Sequence, residues 1–367
     1  MSLWKSTMLP SGSSADGVGV RPGIALRALW FGCLLVAGTC LFSADALAAK
    51  TDIVTLLNGD RITGEVKALQ HGRLRYSTDS MGTIYIEWKD ILGVASQEYH
   101  RVELVDGTRF FGSLDTDEET GELVVKRTTR EKRAELIRVV KVDPIEQKVI
   151  DRFDATVSAG YDFTKASDVT RITAGLDVVY SDETWRYGLR FNSVITDDGD
   201  DRTKNNRLQA TAIKLRTSRW FTYGLGNAEQ NDELGLDLRL LGSVGLGRFM
   251  RQTNTHELIT YFGPAVTYEE SADGQTNTDL EAALGLQFAI FKYDTPETNL
   301  TTSLQFFPGV SDFGRLRGQW DINFRKELVE DFFWNLNWYS TYDSDPRDED
   351  AASTDYGINT GLGWEFW

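Results

Sequence analysis

Residues 315–325 read RLRGQWDINFR, and this stretch alternates strictly between two kinds of side chain. The even-numbered positions are apolar or small, whereas every odd-numbered position is polar or charged. A period of two residues is the side-chain period of a β-strand. The stretch therefore predicts a strand with one apolar face and one polar face.

The same alternation recurs from Phe153 to the end of the chain, in twelve segments. The segments run over about 10–13 residues, longer than the usual globular strand. Aromatic side chains cluster near their ends, as in the interfacial girdles of membrane barrels. After residue 48 no stretch approaches the roughly 18 apolar residues of a spanning helix, so a membrane would have to be crossed by a closed barrel. We therefore predict an all-β chain with a transmembrane antiparallel β-barrel of about twelve strands over residues 149–367.

The connections between these segments favour a membrane barrel over a soluble sandwich. We number the connections from the one between the first and second segments. The odd-numbered connections include residues 196–204, 269–279 and 343–354, whereas even-numbered ones such as 181–183 and 217–219 are short. Long extracellular loops that alternate with short periplasmic turns are typical of outer-membrane barrels. The long connections are rich in Asp and Glu, so we expect them either to bind divalent cations or simply to be solvated.

The N-terminus predicts export. Arg21 and Arg27 precede an apolar run over residues 28–42, and Ala46-Leu47-Ala48 gives the small-x-small pattern of a signal-peptidase site. We expect a signal peptide over residues 1–48, cleaved between Ala48 and Ala49. The alternative, a membrane anchor, is disfavoured because the run is shorter than the roughly 20 residues that a spanning helix needs.

Cysteine usage agrees with this assignment. The only two cysteines, Cys33 and Cys40, lie inside the signal segment, so the mature chain has none. Disulfides therefore cannot stabilise the exported protein.

An internal repeat occupies the segment between the signal and the alternating region. Residues 54–64, VTLLNGDRITG, match residues 102–112, VELVDGTRFFG, at an offset of 48. Asn58-Gly59 and Asp106-Gly107 lie between alternating runs, which predicts two hairpins with type I′ turns. We expect residues 49–148 to form two small SH3- or Sm-like β-units in the periplasm, either a domain that binds a partner or a structural spacer.

Charge argues against nucleic acid as a partner. The chain carries 39 basic and 55 acidic side chains, a formal net charge of −16. Most of this negative charge falls in residues 149–367. Phosphate binding needs a basic face, which this chain lacks.

No catalytic, cofactor-binding or metal-ligating residues are expected. His256 is the only histidine of residues 149–367, and the acidic clusters have no histidine partner for a hydrolase site. His71 and His100 in the repeat show no metal-ligand spacing. Two roles remain, an interaction protein anchored by its barrel and a narrow porin-like channel. The charged residues expected on the inner face of the barrel could line a path or pair and block it: Arg186, Arg190, Asp237, Arg239, Glu281, Arg315, Arg317, Asp321 and Arg325.

The C-terminal segment ends on aromatic residues at Trp364, Phe366 and Trp367. An alternating last strand with a terminal aromatic is the signal that the outer-membrane assembly machinery recognises. Phe366 is in phase with the apolar face, and Trp367 is one residue out of phase. We therefore expect the partners of the chain to be outer-membrane lipid, the assembly machinery and a periplasmic protein.

The alternating region, with Gly160-Tyr161 and its Trp-Glu-Phe-Trp ending, resembles the salt-induced outer-membrane proteins of unknown function. The preceding stretch from Leu56 to Glu65 is similar to a module found ahead of that barrel. The resemblance implies location in the outer membrane of a Gram-negative bacterium. It implies no substrate and no catalytic residue.

Overall fold

A computed structural model describes residues 50–146, 148–165, 168–199, 201–216, 218–232, 235–346 and 353–365. Within these ranges the regular structure consists of strands and three short 3₁₀ turns. The predicted signal peptide and its cleavage site lie outside the described residues. No described helix has the length and apolar character needed to cross a membrane.

The first nine strands form one sheet, called here the N-terminal sheet. Its order is β4-β3-β2-β1-β5-β6-β7-β8, and β9 pairs with both β2 and β5. The strands are β1 (Asp52–Leu56), β2 (Arg61–Gln70), β3 (Arg73–Thr78), β4 (Gly82–Glu87), β5 (Ile91–Leu104), β6 (Arg109–Thr116), β7 (Glu122–Arg127), β8 (Arg130–Glu135) and β9 (Val139–Pro144).

The sequence repeat is visible in this sheet, but it does not produce two separate barrels. β5 is long enough to end the first repeat and begin the second, so the two units share a strand. The buried side chains form one apolar cluster drawn from both units. Trp88 Nε1 donates a hydrogen bond to the carbonyl oxygen of Leu136, its counterpart 48 residues later, at 2.7 Å. The repeat therefore folds as one body with a common core.

Both predicted hairpins form, but the predicted type I′ turns are wrong. Only the glycines have positive φ, +91° at Gly59 and +81° at Gly107, whereas a type I′ turn also needs positive φ at the preceding residue. The side chain of Asn58 instead accepts a hydrogen bond from the amide of Asp60 at 3.0 Å. This Asx interaction is compatible with negative φ, and the loop closes on a left-handed glycine.

Twelve strands form the C-terminal sheet, as predicted. It is a continuous antiparallel meander in chain order. The strands are β10 (Phe153–Thr164), β11 (Val169–Ser181), β12 (Trp185–Asp197), β13 (Arg202–Leu215), β14 (Trp220–Asn231), β15 (Leu236–Gln252), β16 (His256–Ser271), β17 (Thr276–Lys292), β18 (Thr298–Pro308), β19 (Leu316–Val329), β20 (Phe332–Asp343) and β21 (Thr354–Trp364).

The C-terminal sheet is open in this structure, whereas the sequence predicted closure. Over the described residues, β10 pairs with β11 alone and β21 with β20 alone. The two edge strands are correspondingly exposed along nearly their whole length. The backbone donors and acceptors on the free sides of these strands are thus available for a further pairing.

Burial in the C-terminal sheet is the reverse of that in a soluble sandwich. The apolar face points outward: Val157 is 68% exposed and Tyr161 is 71% exposed. The other face holds charged groups away from solvent, and the side chain of Glu281 is only 1% exposed. The alternation therefore separates an exposed apolar face from a more buried polar face.

The predicted contrast between long and short connections is weak. β16 and β17 extend to Ser271 and from Thr276, so their connection is residues 272–275 and not 269–279. Only the connections 309–315 and 344–353 are clearly longer than the even-numbered turns. The strands are longer than the alternation alone indicated, because acidic residues at their ends, such as Glu269 and Asp279, are part of the hydrogen-bonded strand pairs.

Candidate functional site

A cluster of paired charges lies on the polar face, near the strand ends that precede or follow the odd-numbered connections. We call it the ion cluster. It consists of Arg315 and Arg317 with Glu269, Asp279, Glu281 and Asp343.

Arg315, just before β19, is the centre of this cluster. Its Nη1 lies 2.7 Å from Asp279 Oδ2, and its Nη2 lies 2.7 Å from Asp343 Oδ2 and 3.3 Å from Glu269 Oε2. The Arg315 side chain is almost completely buried. A buried guanidinium requires such partners, because removing its charge from water is costly.

Arg317 makes a second set of contacts two residues further along the same face. Its Nε and Nη2 donate to the two carboxylate oxygens of Glu281, at 2.8 and 2.5 Å. This bidentate geometry is the strong form of the arginine–carboxylate pair. Thr267 Oγ1 donates to Glu281 Oε2 at 2.6 Å and accepts from Arg317 Nη2 at 2.9 Å. The three side chains therefore hold one another in fixed positions.

The cluster continues across the neighbouring strands. Arg239 Nε donates to Glu269 Oε1 at 2.8 Å, and Arg207 Nη2 donates to Glu229 Oε1 at 2.5 Å. Arg239 Nη1 also lies 3.8 Å from Glu229. Charges from β13 to β20 are thus linked in one chain of contacts, which crosslinks the polar face.

Three acidic residues that the sequence placed in outer loops belong to this cluster. Glu269, Asp279 and Asp343 lie inside β16, β17 and β20, and each contacts Arg315. These three carboxylates are therefore paired with Arg315 and not simply solvated. Sequence reasoning missed the pairing because Arg315 is 46 residues from Glu269 and 36 from Asp279.

Of the nine charged residues expected on the inner face, four join the cluster or its extension: Arg239, Glu281, Arg315 and Arg317. Arg190 pairs with Asp177 at 2.6 Å near the surface. Arg325 pairs with Glu365, and Asp321 accepts a hydrogen bond from Gln319 at 2.9 Å. Arg186 lies near Asp143, and Asp237 is exposed. The pairs outside the cluster are more exposed and hold the strands less firmly.

The opposite end of the C-terminal sheet contacts the N-terminal sheet through four turns. These turns, called here the docking turns, connect β11 to β12, β13 to β14, β15 to β16 and β17 to β18. All four are even-numbered connections, which the sequence predicted to face the repeat domain.

Side chains of both sheets make the contacts with the first two docking turns. Arg101 Nη1 donates to the carbonyl oxygen of Asp182 at 2.7 Å, and Tyr99 Oη donates to Glu183 Oε1 at 3.1 Å. At the second turn, Arg219 Nη2 donates to the carbonyl oxygen of Val105 at 2.6 Å. These contacts are directional, so they fix the orientation of the N-terminal sheet.

The remaining docking turns use polar and aromatic contacts. Asn254 Nδ2 donates to the carbonyl oxygen of Val139 at 3.0 Å. The guanidinium of Arg73 lies 3.4 Å from the ring centroid of Tyr293, and Lys89 pairs with Asp294. All four turns are thus held by the N-terminal sheet.

Arg101 is itself fixed by a buried ion pair. Its Nη2 donates to Asp143 Oδ2 at 2.6 Å. Burial alone would raise the pKa of Asp143, but Lys141 and Arg101 hold it below its usual range. Asp143 is therefore ionised at neutral pH and keeps Arg101 directed at the first docking turn.

A polar cavity of about 240 Å³ lies where β16–β19 approach the N-terminal sheet. His71 and Glu257 form one side of it, with His71 Nε2 3.9 Å from Glu257 Oε1. Asp321 and Asn323 on β19 contribute to the other side. The polar face therefore keeps an open volume between the ion cluster and the docking turns.

The predicted assembly residues are described only in part. Trp364 ends β21, is exposed and packs against Phe332 with ring centroids 5.6 Å apart. Phe366 and Trp367 lie outside the described residues, as do Ala48 and Ala49 of the predicted cleavage site.

Comparison with known proteins gives one match. A model of a protein family of unknown function, DUF481, matches residues 157–366, which include most of the C-terminal sheet. Neither the curated proteins nor the solved structures contain a match. Since the matched segment covers more than half of the chain, the protein belongs to the DUF481 family.

Proposed function

We propose that the protein is an exported, non-enzymatic outer-membrane protein whose C-terminal sheet closes into a barrel in lipid. The observation that carries this proposal is the reversed burial of the C-terminal sheet. An apolar face of this extent would be costly in water, whereas lipid covers it without loss. The resemblance of the sequence to salt-induced outer-membrane proteins supports the same location.

The N-terminal sheet is proposed to act as a periplasmic adaptor. It covers the end of the C-terminal sheet opposite the two longest connections, 309–315 and 344–353, and in outer-membrane barrels the long loops are extracellular. Its outermost strands, β4 and β8, each pair on one side within the described residues. Tyr85 on β4 and nearby Met81 are exposed, and β8 is rich in charge. These edges provide the surface on which a periplasmic protein would bind.

Membrane insertion is tested by placing a charge on each face of β17. Leu286 lies on the outward apolar face, whereas Gln287 lines the inner cavity. Leu286→Arg should reduce folding into lipid vesicles by about 2–4 kcal/mol, because the charge would enter hydrocarbon. The matched variant Gln287→Arg should fold nearly as well as the wild type. Equal loss in both variants, measured by heat-modifiability gels, would show that the faces are not assigned correctly.

The second candidate function is a narrow channel, and the polar cavity favours it. That cavity leaves an open volume on the inner face, but the ion cluster lies across one end of it and the N-terminal sheet covers the other. Planar-bilayer recording of the full chain distinguishes the two functions. The adaptor role predicts an inserted but silent protein, whereas the channel role predicts a stable current that grows in Arg315→Ala.

A further inference from the structure

Three potential metal ligands meet in the N-terminal sheet, away from the ion cluster and the cavity. Asp52 begins β1, while Glu98 and His100 lie two residues apart on β5. One carboxylate oxygen of each acid and a ring nitrogen of His100 all lie within 4.8 Å of one another. The three atoms are thus near enough for one ion, which would draw its ligands to roughly 3.5 Å from one another at metal–ligand distances of about 2.0–2.2 Å.

The histidine supplies an independent indication that a ligand belongs here. His100 is fully buried, and its Nδ1 lies 2.9 Å from the carbonyl oxygen of Glu98. A carbonyl can only accept, so Nδ1 carries the proton and Nε2 presents its lone pair. Nε2 is buried and has no hydrogen-bond partner among the described residues. Leaving such an atom unsatisfied is costly, and a metal ion would satisfy it.

The tautomer is the one that metal-bound histidines adopt. A ligating histidine typically donates its second ring N–H to a backbone carbonyl or a carboxylate, which fixes the ring orientation. His100 therefore presents Nε2 to an ion without any change of tautomer.

The surroundings of the three ligands are negative. Asp52 is buried, and one of its oxygens accepts a hydrogen bond from the amide of Val66 at 2.8 Å, which orients the carboxylate. Glu65 and Glu146 add negative charge at Glu98, against which Lys67 is the nearby positive group. A divalent cation would offset this local excess of negative charge.

We propose that Asp52, Glu98 and His100 form a divalent transition-metal site, with Zn²⁺ the best match. One imidazole nitrogen and two carboxylate oxygens favour zinc over calcium, which prefers six to eight oxygen ligands. Three protein ligands leave a position for water or for a side chain of a bound partner. The ion would join β1 to β5 next to Tyr99 and Arg101, which contact the first docking turn.

The test uses the full-length exported chain, purified without a histidine tag and stripped with a chelator. Calorimetric titration should give one Zn²⁺ per chain and a higher melting temperature, with much weaker binding of Ca²⁺. Glu98→Gln, at the solvent-facing ligand, should weaken Zn²⁺ binding by about tenfold or more. Glu119→Gln and His256→Gln, which change an acid and a histidine elsewhere, should bind zinc like the wild type.

A second readout separates ligation from a merely structural effect. Zinc should shift the ¹⁵N resonance of His100 Nε2, and this shift should be absent in Asp52→Asn if that variant folds. A wild-type chain that binds no zinc at micromolar concentration would overturn the proposal. Unchanged affinity in Glu98→Gln, or an unshifted His100 resonance, would overturn it as well.

Discussion

Arg101 of the N-terminal sheet donates a hydrogen bond to the backbone carbonyl oxygen of Asp182, 81 residues further along the chain, at 2.7 Å. The donor is a buried guanidinium held by Asp143, and the acceptor belongs to the first docking turn. The contact joins the core of one sheet to the backbone of the other. The N-terminal sheet is therefore held against the C-terminal sheet by specific contacts and does not hang on a flexible linker.

Two equivalent glycines of the repeat test this docking. Gly59 and Gly107 both have positive φ, so replacement by alanine should strain either turn by about 1–2 kcal/mol. A Cβ at Gly107 would also lie 2.6 Å from the backbone carbon of Ser218, whereas one at Gly59 meets nothing within 4 Å. Gly107→Ala should therefore raise hydrogen exchange in the second docking turn, and Gly59→Ala should not. Equal exchange in the two variants would contradict the docking seen here.

The ion cluster should contribute much more to stability than an exposed ion pair. Arg315→Ala would leave three carboxylates without their shared partner, at a cost of about 3–5 kcal/mol in the free energy of unfolding. Arg190→Ala removes one side of the exposed pair with Asp177 and should cost no more than about 1 kcal/mol. Urea unfolding in lipid vesicles measures both values. Similar losses would mean that the cluster is more hydrated than its burial indicates.

The proposed closure of the C-terminal sheet into a barrel predicts a new strand pair between β10 and β21. Both native cysteines precede residue 49, so engineered cysteines are free of competitors in the mature chain. Because side chains alternate between faces, Ser158→Cys should crosslink with one inward position of β21, namely 357, 359 or 361. The out-of-phase pair Ser158→Cys with Ile358→Cys is the control. Membrane-inserted protein in which none of the in-phase pairs crosslinks would contradict closure.

Export predicts a defined mature N-terminus. N-terminal sequencing of the protein from the membrane fraction should begin at Ala49, because Ala46-Leu47-Ala48 carries the cleavage pattern. Substituting Ala48 by a bulky residue should leave the precursor uncleaved. An intact N-terminus in the wild-type protein, or a lipid on Cys40, would contradict this prediction.

Local patterns in the sequence were sufficient to predict the strands. The alternation of residues 315–325 gave both faces of β19, and the repeat of residues 54–64 gave both glycine hairpins. These strands and hairpins depend on residues that are close together in the chain, so a single sequence is enough to predict them. The turn type was missed because Asn58 bonds the amide two residues later, which competes with the left-handed conformation.

Features that join distant segments could not be predicted in this way. The partners of Arg315 were assigned to loops, because nothing near Asp279 or Asp343 indicates an arginine far away in sequence. Asp52 and His100 come together only because β1 pairs with β5. Glu98 and His100 lie two residues apart on one face of a strand, and this spacing was a usable signal for a metal site. Two residues alone do not make such a site, and nothing in the sequence indicated that Asp52 would be the third ligand.

The docking turns also set the order in which the chain assembles. Contacts such as that between Lys89 and Asp294, 205 residues apart, close very long loops and therefore form late. All strand pairs of the N-terminal sheet lie within it, it has its own core, and it precedes β10–β21 in the chain, so it can fold before those strands do. Its docking requires four turns side by side, which happens only after β11–β18 have joined. We therefore expect the N-terminal sheet to dock last, after the C-terminal sheet has formed.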